Sequence, residues 1–181
     1  MNVFISGGCK NGKSLHAQEI ARDMARENGT PLYYIATMIP TDDEDRLRIK
    51  NHLAARDGWG FTTLEQPLNL CGLLERPDVD LSGAFLMDSV TALLSNEMFH
   101  LDGTYDEDAG ARVAEDLLRF ADATGNTVFV SDYIYSDARI FDDWTENYRR
   151  SLAYCDRKLA AVCESVIETS FGTFTELKER K

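Results

Sequence analysis

The feature that most constrains this chain is an octapeptide near its start, Gly-Gly-Cys-Lys-Asn-Gly-Lys-Ser at residues 7–14. It fits the pattern G-x4-G-K-[ST], in which a glycine-rich turn joins a buried strand to a helix. The context agrees, because an apolar run at residues 2–6 precedes the turn and a helical pattern covers Lys13–Asn28, up to Gly29. The sequence therefore predicts a strand–turn–helix unit that opens an α/β fold.

The composition of this turn suits the binding of a triphosphate. Gly7 and Gly12 allow the backbone angles that point successive N–H groups inward, and the helix N-terminus adds partial positive charge. In that arrangement Lys13 reaches the β- and γ-phosphates, and the hydroxyl of Ser14 is a ligand for Mg²⁺. A glycine-rich turn without a chemical role is the alternative, and the agreement of pattern, strand and helix argues against it. The predicted nucleotide-binding residues are Gly7, Gly8, Cys9, Lys10, Asn11, Gly12, Lys13 and Ser14.

Apolar strands alternate with helical patterns along the rest of the chain. Further strands are predicted at residues 31–37, 83–88 and 127–131, with a closing strand or hairpin within residues 166–174. Helices are predicted at residues 42–57, 68–74, 90–100, 106–124 and 141–162. Because this alternation is typical of parallel sheets covered on both faces, we predict a single domain over residues 1–181. The expected fold is a three-layer α/β fold, a P-loop NTPase of the RecA-like type. The polar-aromatic segment at residues 132–143 is the best candidate for a mobile loop.

Charge and cysteine content limit the partners and the compartment that we expect. With 19 basic and 31 acidic side chains the net charge is −12, which disfavours a nucleic-acid partner but allows one locally positive nucleotide pocket. The spacing of Cys9, Cys71, Cys155 and Cys163 suggests neither a zinc site nor a disulfide framework, so reduced thiols are expected. The sequence shows no signal peptide and no apolar run long enough to span a bilayer. We therefore expect a cytoplasmic protein that binds small molecules.

A metal-bound triphosphate needs an acidic residue beside the phosphate turn. Asp88 ends the apolar run at residues 83–88, and ligands of open parallel sheets bind outside the carboxyl ends of the strands. Asp88 is therefore the candidate that holds Mg²⁺, or its water ligands, together with Ser14. The alternative is that Asp88 caps the helix that follows, and the two roles are compatible.

His52 stands out among the histidines because Arg48 and Arg56 lie four residues away on either side. On one helix the three side chains share a face, a cationic strip that suits a triphosphate. Neighbouring cations disfavour imidazolium, so a neutral His52 could attack a phosphorus atom and form a phosphoramidate. A solvated helix face is the plainer alternative, and spacing alone favours it. His16 and His100 are interpreted as structural residues.

Four blocks, in order along residues 1–96, together resemble one enzyme family. They are the opening FISGGCKNGKS, YIAT at residues 34–37, RIKNHLAAR at residues 48–56 with TTLEQP soon after, and DSVTALLSN at residues 88–96. The third block is similar to R-I-x-x-H-x-x-x-R and the fourth to D-C-L-T-x-x-x-S-N. The chain thus resembles the bifunctional adenosylcobinamide kinase / adenosylcobinamide-phosphate guanylyltransferases of cobalamin biosynthesis.

The resemblance implies two reactions. In the first, the γ-phosphoryl group of ATP or GTP passes to the hydroxyl of the cobinamide aminopropanol arm. In the second, a histidine attacks the α-phosphate of GTP, pyrophosphate leaves, and GMP passes to cobinamide phosphate. His52 matches that histidine and, with Lys13, is the predicted catalytic residue. Besides residues 7–14, the positions that match nucleotide-binding residues of the family are Thr37, Leu53, Ala54, Ala55, Arg56, Glu65 and Asp88. The resemblance also implies Mg²⁺ as cofactor and a homo-oligomer.

The second half of the chain departs from the family pattern. After the strand at residues 127–131 the family has N-E-V-G-x-G, whereas this chain reads S-D-Y-I-Y-S at residues 131–136. Because the family pattern begins after residue 131, Tyr133 stands at the place of its acid and neither glycine is present, so the acceptor could differ. Two alternatives therefore stay open: a P-loop kinase for another small-molecule alcohol, and a relative that binds nucleotide without catalysis.

Overall fold

In the computed structural model, the strands of the described chain form a seven-stranded sheet in the order β3-β2-β4-β5-β1-β6-β7. The structure describes residues 1–135 and 138–178, without the side chains of Glu44, Asp45, Arg48, His52 and Ala55. β1 to β6 are mutually parallel, and β7 is antiparallel to β6. The strands are β1 Val3–Gly7, β2 Leu32–Ala36, β3 Thr62–Glu65, β4 Ala84–Asp88, β5 Thr127–Asp132, β6 Ser165–Ser170 and β7 Thr173–Lys178.

Helices connect the strands and cover the sheet. The α-helices are α1 Lys13–Asn28, α2 Asp43–Ala55, α3 Val90–Met98, α4 Ala109–Thr124 and α5 Asp143–Val162, and a 3-10 helix covers Leu70–Glu75. Their ends follow ordinary capping chemistry: α1 stops at Gly29, whose φ is 65°, and α5 begins where Asp142 accepts from the N–H of Thr145 at 3.0 Å.

The sheet separates two apolar cores, because alternate residues of each strand point to opposite faces. In β1, Phe4 packs with Phe129 on the face that α3, α4 and α5 cover. Val3 and Ile5 belong to the other core, where Met24 and the alanines of α1 pack. This arrangement confirms the predicted three-layer α/β fold with helices on both faces of a mostly parallel sheet.

The structure differs from the prediction where the chain is exposed. β3 was not predicted, because Leu64 is the only one of its residues that is buried and the segment therefore has no apolar run. The closing hairpin extends four residues past the predicted end at position 174. The sequence did not indicate this extension, because every residue of β7 is exposed. The short helix predicted at residues 68–74 is a 3-10 helix. By contrast, α1 occupies the predicted range, because Gly29 gives a clear stop signal.

The helix expected at residues 42–57 ends two residues early, at Ala55. Arg56 lies in the turn that follows, near Gly58 and Gly60, which have φ of 74° and 87°. These left-handed conformations are incompatible with continued α-helix. Arg56 therefore lies one residue past the end of α2. The side chains of Arg48 and His52, the other two members of the predicted cationic strip, lie outside the described residues, so the strip stays a prediction.

Replacing Gly110 with alanine should lower the free energy of unfolding by about 1–3 kcal/mol, because overpacking forces helices apart. A Cβ on this residue of α4 would lie 2.4 Å from Oγ and 2.6 Å from Cβ of Ser151 on α5. Chemical denaturation followed by circular dichroism measures the change. Glu115→Ala, at an exposed position of α4, is the control and should stay within about 0.5 kcal/mol of wild type. An undiminished stability of the Gly110→Ala variant would contradict this close helix contact.

Candidate functional site

The predicted site residues lie on strands whose carboxyl ends share one edge of the sheet. Ala36 of β2 pairs with Glu65 of β3 on one side and with Asp88 of β4 on the other. Beyond β4, Asp132 of β5 pairs with Gly7 of β1. Because these strands are parallel, Glu65, both aspartates and the phosphate turn open onto the same edge, where ligands of such sheets bind.

The phosphate turn, residues 7–14, leaves the sheet where β1 touches β6. A Cβ on Gly7 would lie 2.4 Å from the carbonyl oxygen of Thr169, so glycine is required there. Farther along, Lys10 and Gly12 have φ of 58° and 84°, which bends the backbone into a concave loop. α1 begins directly afterwards at Lys13, and the unpaired N–H groups of its first turn add to this loop. The turn therefore has the form of an anion cradle.

Lys13 is 5 % exposed, and its ammonium group is held from two sides. It donates to the carbonyl oxygen of Gly8 at 2.6 Å and to Oδ1 of Asp132 at 2.7 Å. Asp132, whose side chain is 17 % exposed, is the last residue of β5. A phosphate that reaches Lys13 must therefore compete with the Asp132 carboxylate, which lies beside the place where the terminal phosphate would bind.

Asp88 is joined to the end of α2 through a buried tyrosine. Tyr34 of β2 donates its hydroxyl to Oδ2 of Asp88 at 3.1 Å. Burial, with the negative charge of Asp88 beside it, holds the pKa of the Tyr34 phenol well above its ordinary value, so the phenol stays a donor. The guanidinium carbon of Arg56 lies 3.6 Å from the centre of the Tyr34 ring, and its Nη2 donates to Thr63 at 3.2 Å. Arg56, Tyr34 and Asp88 thus form one connected group.

Thr37 supports the segment that follows Asp88. It is fully buried, and its Oγ1 accepts from the N–H of Ser89 at 2.7 Å and donates to the Ser89 carbonyl oxygen at 2.9 Å. Ser89 in turn caps α3, because its Oγ accepts from the N–H of Ala92 at 3.2 Å. The capping role considered for Asp88 therefore belongs to Ser89, and the Asp88 side chain faces the cleft.

A cleft of about 830 Å³ lies over this edge of the sheet, within the usual size range of small-molecule sites. Its wall runs from the phosphate turn, past β4 and β5, to β2, β3 and α2. The residues that line it include Lys10, Asn11, Gly12, Lys13, Ser14, Tyr34, Leu47, Ile49, Asn51, Arg56, Glu65, Asp88 and Asp132.

The cleft brings together only part of the predicted set. The later part of the phosphate turn, Arg56, Glu65 and Asp88 line it, whereas Thr37 lies beneath it. Leu53 and Ala54 are exposed on α2 and are not among its lining residues. The side chains of Arg48, His52 and Ala55 lie outside the described residues, although their helix contributes Leu47, Ile49 and Asn51 to the wall. The backbone of α2 therefore runs along the cleft that contains the phosphate turn.

The donors available for Mg²⁺ are oxygens. Both the Ser14 hydroxyl and the Asp88 carboxylate line the cleft, and these are ligands that Mg²⁺ prefers. Among the described residues no group of three or more His, Cys, Asp or Glu side chains could hold a metal ion by itself. These donors would suit a magnesium ion that arrives with the phosphates and keeps several water ligands, and Ser14 and Asp88 are the residues that would hold it.

Residues after β5 are tied to α5 by buried polar groups. Arg149, 7 % exposed, donates to the carbonyl oxygens of Tyr135 at 3.3 Å and Arg139 at 3.0 Å. The Tyr135 hydroxyl donates to Oδ2 of Asp156 at 2.9 Å. Burial raises the pKa of the Asp156 carboxyl to about 6; the hydrogen bond from Tyr135 opposes this rise, and the charge of Asp132 adds to it. The segment in which this chain departs from the family pattern is thus attached to α5 directly behind the site.

The fold and this cleft define the class of the protein as a P-loop nucleotide-binding protein with a RecA-like fold. The flagellar accessory protein FlaH from Methanocaldococcus jannaschii superposes with a TM-score of 0.54 at 13% identity, over 99% of this chain and 78% of that one. The ATPase domain of G40P gives a TM-score of 0.51 at 9% identity, over 92% of this chain and 68% of that one. At these identities the likeness shows the fold alone.

The family follows from the sequence. The model of the cobinamide kinase / cobinamide phosphate guanyltransferase family, CobU, matches residues 3–177, so the chain belongs to this family. The bifunctional adenosylcobalamin biosynthesis protein CobP of Pseudomonas aeruginosa is 29% identical over 184 residues, 98% of each chain. The corresponding CobU of Escherichia coli is 31% identical over 109 residues, 60% of this chain and only 56% of that protein. The family indicated by the four sequence blocks is thereby confirmed.

Two residues of the site were missed from the sequence. Asp132 directly follows the apolar run at residues 127–131, the same signal that identified Asp88. Tyr34 lies within an apolar strand, and nothing in its local sequence indicates that its hydroxyl meets a carboxylate.

No helix among the described residues has the length and hydropathy needed to cross a membrane.

The raised pKa of Asp156 predicts a specific dependence of stability on pH. Because the folded state holds this proton up to about pH 6, while the unfolded carboxyl releases it near pH 4, wild type loses stability as pH rises through that window. Because Asp156→Asn cannot ionise, its free energy of unfolding should gain up to about 3 kcal/mol relative to that of wild type between pH 4 and pH 7. Denaturation at both pH values measures this gain. Asp122→Asn, an exposed position on α4, is the control, and an equal gain there would contradict the assignment.

Proposed function

We propose that this chain phosphorylates adenosylcobinamide and then transfers GMP from GTP to adenosylcobinamide phosphate through a histidine intermediate on His52. The observation that carries the proposal is the single cleft in which the phosphate turn, Asp88, Asp132 and the backbone of α2 meet. Membership in a family described by these two activities supports the proposal, as do the relatives named bifunctional adenosylcobalamin biosynthesis proteins.

Phosphoryl transfer requires positioning and charge neutralisation more than covalent chemistry. The backbone of residues 7–14 holds the phosphates, and Lys13 leaves Asp132 to contact the terminal phosphates. The acceptor hydroxyl oxygen forms a bond to the γ-phosphorus while the bond to the β–γ bridging oxygen breaks, and that electron pair stays with the nucleoside diphosphate. Mg²⁺, held by Ser14 and Asp88, would neutralise charge that develops on the phosphate oxygens.

Asp132 is the acceptor of the hydroxyl proton in this proposal. Its Oδ1 lies 2.7 Å from the Lys13 ammonium, so the carboxylate is beside the terminal phosphate when Lys13 contacts that phosphate. Once Lys13 pairs with phosphate, the carboxylate loses its counter-ion and becomes a better proton acceptor. Asp88, which accepts a hydrogen bond from Tyr34, is the proposed metal ligand instead.

Guanylyl transfer proceeds in two displacements. A neutral imidazole nitrogen of His52 attacks the α-phosphorus of GTP, the bond to the α–β bridging oxygen breaks, and pyrophosphate leaves with that electron pair. A phosphate oxygen of the corrinoid then attacks the same phosphorus, the N–P bond breaks, and the imidazole is restored. In this proposal Arg56 and Glu65, which line the cleft on the β2–β3 side, contact the guanosine.

The proposal predicts covalent labelling at a single histidine. Incubation with α-³²P-GTP and Mg²⁺ should label wild type, and mass spectrometry should place one GMP on His52. His52→Ala should abolish the label, because His52 is the one histidine in the sequence of α2. His100→Ala, which removes a histidine from outside this cleft, is the matched control and should retain the label. An unlabelled wild type would remove the guanylyltransferase half of the proposal.

A second prediction isolates the kinase half. Asp132→Asn should lower kcat for phosphorylation of adenosylcobinamide by about 100-fold, the lower range for general-base catalysis, with a small change in KM for the nucleotide. Asp122→Asn removes one exposed carboxylate elsewhere and should leave kcat unchanged. If both variants match wild type, Asp132 is not the proton acceptor. Labelling of His52 serves as an internal check that the Asp132→Asn protein is folded.

Assembly as a homo-oligomer, the absence of a nucleic-acid partner and a cytoplasmic location stay predictions from the sequence.

A further inference from the structure

A second cavity, of about 690 Å³, adjoins the cleft that contains the phosphate turn. Ile39 lines both spaces, and so does α3: Ala92 lines the cleft, and Ser95, less than one turn later, lines the second cavity. The segments that follow β2 and β3, together with the turn after α3, complete its wall. The two spaces therefore meet along α3, and a ligand in the second cavity would lie next to whatever occupies the cleft.

The wall of the second cavity is largely apolar, and no lysine or arginine stands among the described residues that line it. Leu68, Phe99 and Leu101 are 38%, 37% and 81% exposed around it. An exposed apolar cluster of this kind is typical of a surface that binds a ligand. The hydroxyl groups of Ser95 and Thr104 add hydrogen-bonding capacity. This chemistry suits a large apolar body with a few polar substituents, and it does not suit phosphate.

The turn after α3 is held in shape by its own hydrogen bonds. The N–H of His100 donates to the carbonyl oxygen of Thr104 at 3.0 Å, and the N–H of Gly103 donates to the carbonyl oxygen of His100 at 2.9 Å. The Phe99 ring packs against Tyr105, with ring centroids 5.3 Å apart. The cavity is thus bounded by ordered elements, which is typical of sites that are formed before the ligand binds.

Asn96 connects the wall of this cavity to the cleft. Its Nδ2 donates to the carbonyl oxygens of Thr37 at 2.7 Å and Pro67 at 2.9 Å. Thr37 in turn holds Ser89, the residue after Asp88. The sequence block at residues 88–96 therefore runs from the carboxylate in the cleft to the wall of the second cavity, so the two spaces share one hydrogen-bonded framework.

The residues assigned to the guanosine and the helix that lines the second cavity lie on different faces of the sheet. Arg56 rests on Tyr34, whose ring belongs to the core on the α1 face. Glu65 points the same way, because its neighbour Leu64 belongs to the opposite core. α3 packs in that opposite core through Leu94. A nucleotide base at Arg56 and Glu65 therefore leaves the second cavity open to another ligand.

The first turn of α3 lies beside the proposed proton acceptor, because Oγ1 of Thr91 accepts from the N–H of Asp132 at 2.9 Å. Phe99, at the other end of the helix, lines the second cavity. At 1.5 Å per residue, Thr91 and Phe99 are about 12 Å apart along the helix axis. An acceptor that occupies the cavity must therefore carry its hydroxyl on an extended arm, and Ala92 and Ser95 mark the path of that arm.

We propose that the second cavity is the acceptor subsite, which holds the body of the corrinoid while its hydroxyl arm runs along α3 to Asp132. The arrangement matches the acceptor of the proposed function, a large macrocycle whose hydroxyl is at the end of an aminopropanol arm. The inference rests on the proposed function for the identity of the acceptor and adds where it binds. It assigns recognition of the acceptor to residues 95–104, outside residues 131–136, where the chain departs from the family pattern.

Binding of adenosylcobinamide, measured by equilibrium dialysis and the absorbance of the corrinoid, tests the subsite without turnover. Ser95→Phe places a ring in the cavity and should weaken this binding by about tenfold or more, because the ring excludes the ligand. The KM for adenosylcobinamide should rise by the same factor, while calorimetric binding of ADP with Mg²⁺ should be unchanged. Leu101→Ala removes one exposed apolar side chain and should weaken adenosylcobinamide binding about threefold.

Each variant has a matched control on another element. Ala123→Phe adds the same ring at an exposed position of α4, and Leu177→Ala removes the same side chain from β7, where it is 62% exposed. Both controls should bind adenosylcobinamide and ADP as wild type does. Unchanged ADP binding by Ser95→Phe also shows that this variant is folded.

The proposal is overturned if Ser95→Phe and Leu101→Ala bind adenosylcobinamide as tightly as wild type. It is also overturned if both weaken ADP binding by the same factor, since the effect would then not be specific to the acceptor. A lower assembly mass of both variants in light scattering would overturn it as well, since the cavity would then be a subunit interface.

The dialysis measurement separates this inference from the proposed function. A protein that binds adenosylcobinamide, loses that binding in Ser95→Phe and transfers neither phosphate nor GMP has the subsite but lacks the proposed function. An enzyme that performs both transfers with an unchanged KM for adenosylcobinamide in both variants has the function but lacks the subsite. A wild type that neither binds nor phosphorylates adenosylcobinamide contradicts both.

Discussion

The position of β1 between β5 and β6 determines where the functional groups of this protein lie. Gly7, at the end of β1, pairs with Asp132 on one neighbour and with Thr169 on the other. The contact with Thr169 is so close that a side chain at Gly7 would collide with the main chain. That one contact directs the chain out of the sheet into the phosphate turn, with an acid on one side and the closing hairpin on the other.

Charge within the site is balanced by a few specific partners, although the chain as a whole is strongly acidic. Lys13 is neutralised by Asp132, and Asp88 accepts from Tyr34, whose ring lies against Arg56. Each of these contacts satisfies a group that a bound triphosphate or its metal would otherwise satisfy. These contacts hold the site residues in place, and a phosphate that reaches Lys13 competes with Asp132 for its ammonium group.

The fold and the phosphate turn could be predicted from the sequence, because both depend on local signals. Apolar runs marked the buried strands, Gly29 marked the end of α1, and the spacing of Gly7, Gly12 and Lys13 marked the turn. What could not be predicted depends on contacts distant in sequence. β3 and the last four residues of β7 are exposed segments that pairing alone defines. The left-handed glycines after Ala55 follow the end of α2, so Arg56 lies just beyond that helix. Likewise, the ion pair of Lys13 with Asp132 joins residues that only the sheet order brings together.

The connected group of Arg56, Tyr34 and Asp88 also has a thermodynamic consequence. A cation that binds at Asp88 competes with the Tyr34 hydroxyl for the same carboxylate, and the Tyr34 ring is the surface on which Arg56 rests at the end of α2. Because linkage is reciprocal, a ligand that shifts Arg56 and thereby changes the Tyr34–Asp88 hydrogen bond would change the affinity of Asp88 for a cation, and the cation would change the affinity for that ligand by the same factor. Occupancy of Asp88 by a cation and the position of Arg56 at the end of α2 are then two readings of one equilibrium.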